Sequence, residues 1–128
     1  MANITVLITS SPFGNNIHAL AQRYINAAVE HHTIDRIFFY QDAVLVANQA
    51  QQPPQGQVSI LSQWKSLTEC NNIPLQACIA NSLRRGLTDA AEQARYDLPF
   101  ASLDPTFELC GLGDMAMAHK NSDKVVQF

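Results

Sequence analysis

The chain has 128 residues, the length of one ordinary domain. Hydrophobic residues make up 47% and charged residues only 15%, and the formal net charge is -3, from 8 Lys and Arg against 11 Asp and Glu. A protein that binds nucleic acid through its phosphates needs a basic face, so this balance disfavours direct binding of tRNA or DNA. The sparse charge suggests instead that partner subunits cover part of the surface.

The beginning of the chain and its cysteines indicate the compartment. No apolar run approaches the roughly 20 residues of a transmembrane helix, and residues 1–8 lack the basic region of a secretion signal. There are three cysteines, Cys70, Cys78 and Cys110. An odd number without a signal peptide favours free thiols in a reducing compartment. We therefore expect a cytoplasmic protein with no membrane association.

The first third of the chain predicts a strand, a helix and a second strand. Residues 4–9 form a short β-branched run typical of a buried strand. Asn15 and Asn16 end the turn-rich segment that follows, and either can cap the next helix. Apolar residues at helical spacing predict that this helix extends to about His31. Residues 33–40 are rich in β-favouring side chains and predict the second strand.

The middle of the chain predicts a third strand between two helical segments. Residues 42–49 favour a helical turn, and an amphipathic helix then ends near Cys70. Residues 73–79 predict the third strand, with a proline at its start, where a missing N–H is tolerated. Residues 80–85 predict a short helix that ends at Gly86, because glycine is favoured just past a helix end.

The last third predicts two more helices and two short strands. Asp89 and Glu92 have the spacing of a capping box at the start of a helix. The remaining elements are a strand at 107–110, a helix at 114–119 and a strand at 124–128. Alternating strands and helices predict a single α/β domain over residues 1–128, with three α/β/α layers and a mostly parallel, Rossmann- or flavodoxin-like sheet of about five strands.

Cys78 is the best candidate for chemistry. Active groups in an open parallel sheet lie beyond the carboxyl ends of the strands, and Cys78 lies where the third strand becomes a helix. The free N–H groups of a helix N-terminus can stabilise a thiolate. Arg84 and Arg85 follow two turns later, where a positive field or partner binding fits better than contact with the sulfur. The alternative is a buried cysteine that only packs.

Cys70 and Cys110 are interpreted as structural cysteines. Cys70 ends an amphipathic helix, and Cys110 precedes a glycine turn, with a resolving thiol as its alternative role. Seven residues separate Cys70 from Cys78, which does not fit a zinc knuckle. Residues 111–116 match G-x-G-x-x-A but lie too close to the end of the chain for a dinucleotide fold, so we interpret them as a tight turn into a helix.

Four segments together resemble the DsrE/DsrF-like family across nearly the whole chain. They are Phe38-Phe39-Tyr40 followed by Ala47-Asn48-Gln49, then Cys78-Ile79-Ala80-Asn81-Ser82-Leu83-Arg84-Arg85-Gly86, then Gly111-Leu112-Gly113, and the ending Asp123-Lys124-Val125-Val126-Gln127-Phe128. No single segment is enough, but their order and spacing make the match specific. The resemblance implies a single DsrE-like sulfurtransferase domain.

The resemblance also implies a mechanism and partners. The cysteine that matches Cys78 accepts a sulfane sulfur as a persulfide in this family. A TusA-like carrier supplies the sulfur and a TusE-like carrier receives it, for 2-thiolation of the wobble uridine of tRNA. The chain would work in a heterohexamer with TusB-like and TusC-like subunits. Persulfide transfer needs a reachable thiolate, and it needs neither a metal nor an organic cofactor.

Three other functions stay open from the sequence. A DsrE-like subunit of dissimilatory sulfur oxidation would use the same chemistry in another pathway. A non-catalytic assembly subunit is a second alternative, which the presence of Cys78 disfavours. A flavodoxin-like ligand binder is the third, but residues 10–14 after the first strand do not form a glycine-rich phosphate loop.

Overall fold

A computed structural model describes all residues from 1 to 128. Its centre is one five-stranded sheet in which every neighbouring pair is parallel. The strand order is β4-β3-β2-β1-β5. The strands are β1 Asn3–Ile8, β2 Thr33–Phe39, β3 Leu75–Cys78, β4 Phe107–Cys110 and β5 Lys124–Gln127. The predicted α/β fold with about five mostly parallel strands is confirmed.

Helical segments connect all five strands. They are α1 Ile17–Ala28, α2 Ile60–Asn71, α3 Ile79–Arg84, α4 Ala90–Arg95 and α5 Leu112–Asn121, with a 3₁₀ segment Gln41–Ala47 after β2. Connections between parallel strands are right-handed. Because β1 to β4 progress toward one edge of the sheet and β5 returns to the other, the last crossover, through α5, lies on the opposite face from the earlier ones. The helices are all too short or too polar to cross a lipid bilayer.

Alternation along the strands divides the core into two clusters. The larger cluster takes Ile37 and Phe39 of β2 and Ala77 of β3, and it packs against α1, α2 and the 3₁₀ segment. The smaller cluster takes Phe38 and Cys78, the residues that point to the other face. This cluster therefore lies between the sheet and α5, which alone of the five main helices contributes buried residues to it.

A buried histidine packs against the larger cluster, beside Phe39 and Trp64. His18 of α1 is buried, and its Nδ1 accepts a hydrogen bond of 3.1 Å from Nε1–H of Trp64 in α2. Its Nε2 therefore carries the proton and donates to the Ser10 carbonyl at 2.8 Å. Burial lowers the pKa of His18, and the Ser10 hydrogen bond opposes that shift only in part. The imidazole is thus a neutral link between the loop after β1 and two helices.

Several predicted boundaries differ from the observed ones. Helix α1 ends at Ala28 rather than near His31, because the chain turns back so that Nδ1 of His32 accepts from the backbone N–H of Ala2. Strand β3 is Leu75–Cys78 rather than 73–79, because Asn72 adopts the left-handed conformation that ends α2 and Ile79 already begins α3.

The predicted helix at 114–119 is longer than expected. Helix α5 begins at Leu112, because Gly111 is its N-cap and the Gly111 N–H donates to Oδ2 of Asp114 at 3.1 Å. The G-x-G segment is therefore a turn into a helix, as the sequence predicts. The predicted capping position Asp89 is confirmed, since its carboxylate accepts from the Glu92 N–H at 2.9 Å.

Candidate active site around Cys78

Cys78 occupies the junction that the sequence predicts for it. It is the last residue of β3 and the N-cap of α3, with an extended backbone (φ -60°, ψ 122°). The strand aims its side chain at the face covered by α5, where only 1% of the residue is exposed. The thiol therefore lies just inside the surface at the carboxyl edge of the sheet and not in an open cleft.

One polar group contacts the sulfur. Nδ2 of Asn81, three residues on and on the same side of α3, donates to Sγ of Cys78 at 2.9 Å. No backbone N–H of α3 bonds the side chain of its N-cap. The hydrogen bond to the sulfur thus comes from a side chain of α3 and not from its backbone. Such a donor stabilises a thiolate more than a thiol.

Arg85 holds Asn81 without contacting the sulfur. Its Nη1 donates to the backbone carbonyl of Asn81 at 3.1 Å and to the side-chain Oδ1 at 3.4 Å. On its other side, Nε and Nη2 of Arg85 each lie 2.9 Å from Oδ1 of Asp42 in the 3₁₀ segment. With its Oδ1 engaged by the guanidinium, Asn81 presents its NH₂ group to the sulfur. Hydrogen bonds therefore run from the exposed Asp42 through Arg85 and Asn81 to the sulfur of Cys78.

Apolar side chains enclose the remaining sides of the thiol. The smaller core cluster consists of Phe38, Cys78, Cys110, Met115 and Ala118, with Leu7, Tyr40 and Val125 packed against it. Tyr40 follows directly after β2 and packs against this cluster. Cys78 is almost fully buried under this cover in the isolated chain.

Cys110 lies directly beside Cys78. The two residues are register partners at the ends of β3 and β4, and both belong to the smaller cluster. Burial, with the nearby charges of Glu108 and Asp114, raises the pKa of the Cys110 thiol to about 11, and Arg36 opposes this only partly. Cys110 is therefore a protonated thiol at neutral pH, next to the candidate nucleophile.

The other candidate residues lie apart from this site. Cys70 is exposed at the end of α2, and the exposed Arg84 side chain makes no hydrogen bond or ion pair. No three His, Cys, Asp or Glu side chains converge as metal ligands. Sequence reasoning missed Asn81 and Asp42. The signal for Asn81 was its position three residues after Cys78, while Asp42 lies 36 residues before it and only the fold joins them.

The whole chain matches one protein family. Residues 2–128 match the DsrE/DsrF-like family, and full-length relatives exceed 30% identity. The chain belongs to the DsrE/DsrF-like family. This confirms the resemblance inferred from the four segments, and the matched region includes Cys78.

Similar members of the DsrE/DsrF-like family have a common name. A protein called Sulfurtransferase TusD from Pectobacterium carotovorum is 35% identical over 129 residues, with full coverage of both chains. Sulfurtransferase TusD from Serratia proteamaculans is 36% identical, again with full coverage of both. The crystal structure of the ychN protein from E. coli superimposes with a TM-score of 0.76 at 22% identity, over 100% of each chain. That likeness shows the common fold.

Proposed function

We propose that this protein is a sulfurtransferase that accepts sulfane sulfur on Cys78 as a persulfide. The observation that carries this function is the buried Cys78 thiol at the carboxyl edge of the sheet, with Nδ2 of Asn81 at 2.9 Å from its sulfur. Full-length relatives named Sulfurtransferase TusD support the same chemistry.

The reaction needs only a thiolate and a protected place for the product. The Cys78 thiolate attacks the outer sulfur of a carrier's persulfide, the carrier's S–S bond breaks, and the carrier leaves as a thiolate. The N–H of Asn81 stabilises negative charge on Cys78 before the attack and again when the sulfur is passed on. The apolar cluster around the site keeps water and small thiols away from the persulfide.

A TusA-like donor, a TusE-like acceptor and a heterohexamer with TusB-like and TusC-like subunits complete the proposed relay. Its end product is the 2-thio group of the tRNA wobble uridine. The net charge of -3 and the small number of charged residues suit transfer between proteins better than direct tRNA binding. Because Cys78 is 1% exposed in the isolated chain, docking of a carrier would have to shift part of its cover.

The central experiment compares Cys78→Ser with the matched control Cys70→Ser. Each full-length chain is incubated with a cysteine desulfurase and a TusA-like carrier, and mass spectrometry then maps added sulfur. We expect one extra sulfur atom on Cys78 in the wild type and in Cys70→Ser, and none in Cys78→Ser. Extra sulfur that persists on Cys78→Ser would contradict the assignment. A chain that assembles with its sister subunits but never carries sulfur would instead be a non-catalytic assembly subunit.

A second measurement tests the pathway. In cells that lack their own TusD protein, the wild-type chain should restore 2-thiouridine in tRNA, and the Cys78→Ser chain should not. A chain that carries persulfide in vitro but restores no 2-thiouridine would point to the sulfur-oxidation alternative.

A further inference from the structure

Cys110 is a buried thiol that the transfer reaction does not use. It is 6% exposed, Cys78 is 1% exposed, and the two are Cα partners on neighbouring parallel strands. Neighbouring strands lie about 4.8 Å apart, and a disulfide needs Cα atoms about 4.4–6.8 Å apart. Both side chains point to the same face and share the smaller cluster. The Cα spacing expected of this register pair therefore lies within the range that a disulfide needs.

We propose that Cys110 is a resolving thiol, which discharges a persulfide on Cys78 that no acceptor collects and leaves a Cys78–Cys110 disulfide. This chemistry depends on the function proposed above, because the persulfide is the oxidant. The closed disulfide holds no sulfur for transfer and blocks Cys78, so the subunit stays inactive until a thiol reductant reopens it.

The step balances without any other reactant. The sulfur of Cys110 attacks the inner sulfur of the persulfide, which is Sγ of Cys78, and a new S–S bond forms between the two cysteines. The bond from Sγ to the outer sulfur breaks, and its electron pair leaves with that sulfur. The proton of Cys110 goes to the departing sulfur, which is released as hydrosulfide.

The raised pKa of Cys110 makes this discharge slow. With a pKa of about 11, only about one Cys110 thiol in ten thousand is ionised at pH 7. Burial is the main cause, Glu108 on the same strand and Asp114 in α5 add to it, and Arg36 on β2 opposes it. Deprotonation of Cys110 therefore costs free energy. Because of this, a persulfide on Cys78 has time to meet an acceptor before Cys110 discharges it.

The experiment uses the full chain with Cys70→Ser, so that only two thiols remain. This chain and its Cys110→Ser version are loaded with inorganic polysulfide, freed of excess reagent and held without oxygen. Released sulfide is trapped with a bimane reagent, and peptides are mapped without reduction. Cys110→Ala provides a second version in case the serine variant does not fold.

We expect the two-thiol chain to lose its extra sulfur as sulfide and to gain one linked Cys78–Cys110 peptide. The Cys110→Ser chain should keep its extra sulfur many times longer and form no link. Glu108→Gln should release sulfide several times faster than the two-thiol chain, because it removes a charge that holds the proton on Cys110. Equal decay with and without Cys110, or decay without a linked peptide, would overturn the resolving role.

A separate oxidation with diamide distinguishes failure of this inference from failure of the proposed function. If Cys78 takes up no sulfur from any source, the sulfurtransferase function fails. Diamide then tests the pair directly: a Cys78–Cys110 link supports the pairing, and its absence under conditions that oxidise exposed thiols overturns it.

Discussion

At the scale of single residues, the function we propose relies on the Asn81 amide that contacts Cys78. The sulfur is enclosed by apolar groups, and Asn81 donates a hydrogen bond to it at 2.9 Å. A buried thiolate without a donor is costly, since burial disfavours the charged form. Asn81 donates a hydrogen bond to Cys78, whereas burial and the neighbouring carboxylates of Cys110 favour its neutral thiol and Arg36 offsets them only in part.

Asn81→Ala should slow sulfur uptake by Cys78 about tenfold, because a hydrogen bond to a charged atom contributes about 1.5 kcal/mol. Asn81→Asp should be slower still, since a carboxylate would face the thiolate. Uptake is measured by mass spectrometry over time, with Asn26→Ala, on the exposed side of α1, as the matched control. Wild-type uptake by Asn81→Ala would show that the amide only fills space.

At the scale of elements, one ion pair ties α3 to the 3₁₀ segment. Arg85, the C-cap of α3, bonds Asp42 near the start of that segment and carbonyl oxygens of Asn81 within its own helix. The Asp42 side chain is 59% exposed, so the pair contributes little to the free energy of unfolding, about 0.5 kcal/mol. Its effect is on orientation, since it holds the amide that contacts the sulfur.

Arg85→Ala should slow sulfur uptake about threefold and leave the free energy of unfolding nearly unchanged, because the Asn81 amide would lose its fixed orientation. Arg84→Ala is the matched control, since Arg84 has the same charge and sits one residue earlier without these bonds. Both variants are followed by sulfur uptake and by urea unfolding. Equal slowing in the two variants would assign the effect to net charge.

At the scale of the whole molecule, the neutral His18 imidazole links the loop after β1 to α1 and α2. Protonation at Nδ1 would remove the acceptor of Trp64 Nε1–H and place a charge beside Phe39 and Trp64. Because the pKa of His18 is lowered in the folded protein, the unfolded chain binds a proton first as pH falls below about 6.5. The contribution of neutral His18 to the free energy of unfolding is therefore fully present above that pH and is lost as the pH falls below it.

The free energy of unfolding should fall between pH 7.5 and pH 5.0, and His18→Gln should remove the part of that fall due to His18. Asp104 does not contribute in this range, because its lowered pKa costs stability only at more acidic pH. Urea unfolding at the two pH values measures the slope, with exposed His31→Gln as the control. An unchanged slope in His18→Gln would show that other groups carry the acid sensitivity.

Local sequence was enough to predict the element order, the parallel sheet and the position of Cys78. Alternating apolar strands and capped helices are short-range patterns. As those patterns require, Asp89 and Gly111 are the N-caps of α4 and α5, and Gly86 follows the end of α3. The family resemblance came from segments of the same local kind. Element ends were less predictable: a long-range hydrogen bond from Ala2 to His32 accompanies the early end of α1, and the left-handed Asn72 delays the start of β3.

Only the tertiary structure placed Asp42 with Arg85 and Cys110 with Cys78. These pairs are separated by 43 and 32 positions in the chain, and nothing in either segment indicates its partner. Strand order brings β3 and β4 together, and the burial that follows keeps the proton on Cys110 and closes the cover over Cys78. Burial and long-range proximity are properties of the packed sheet, whereas helix caps and strand patterns need only neighbouring residues.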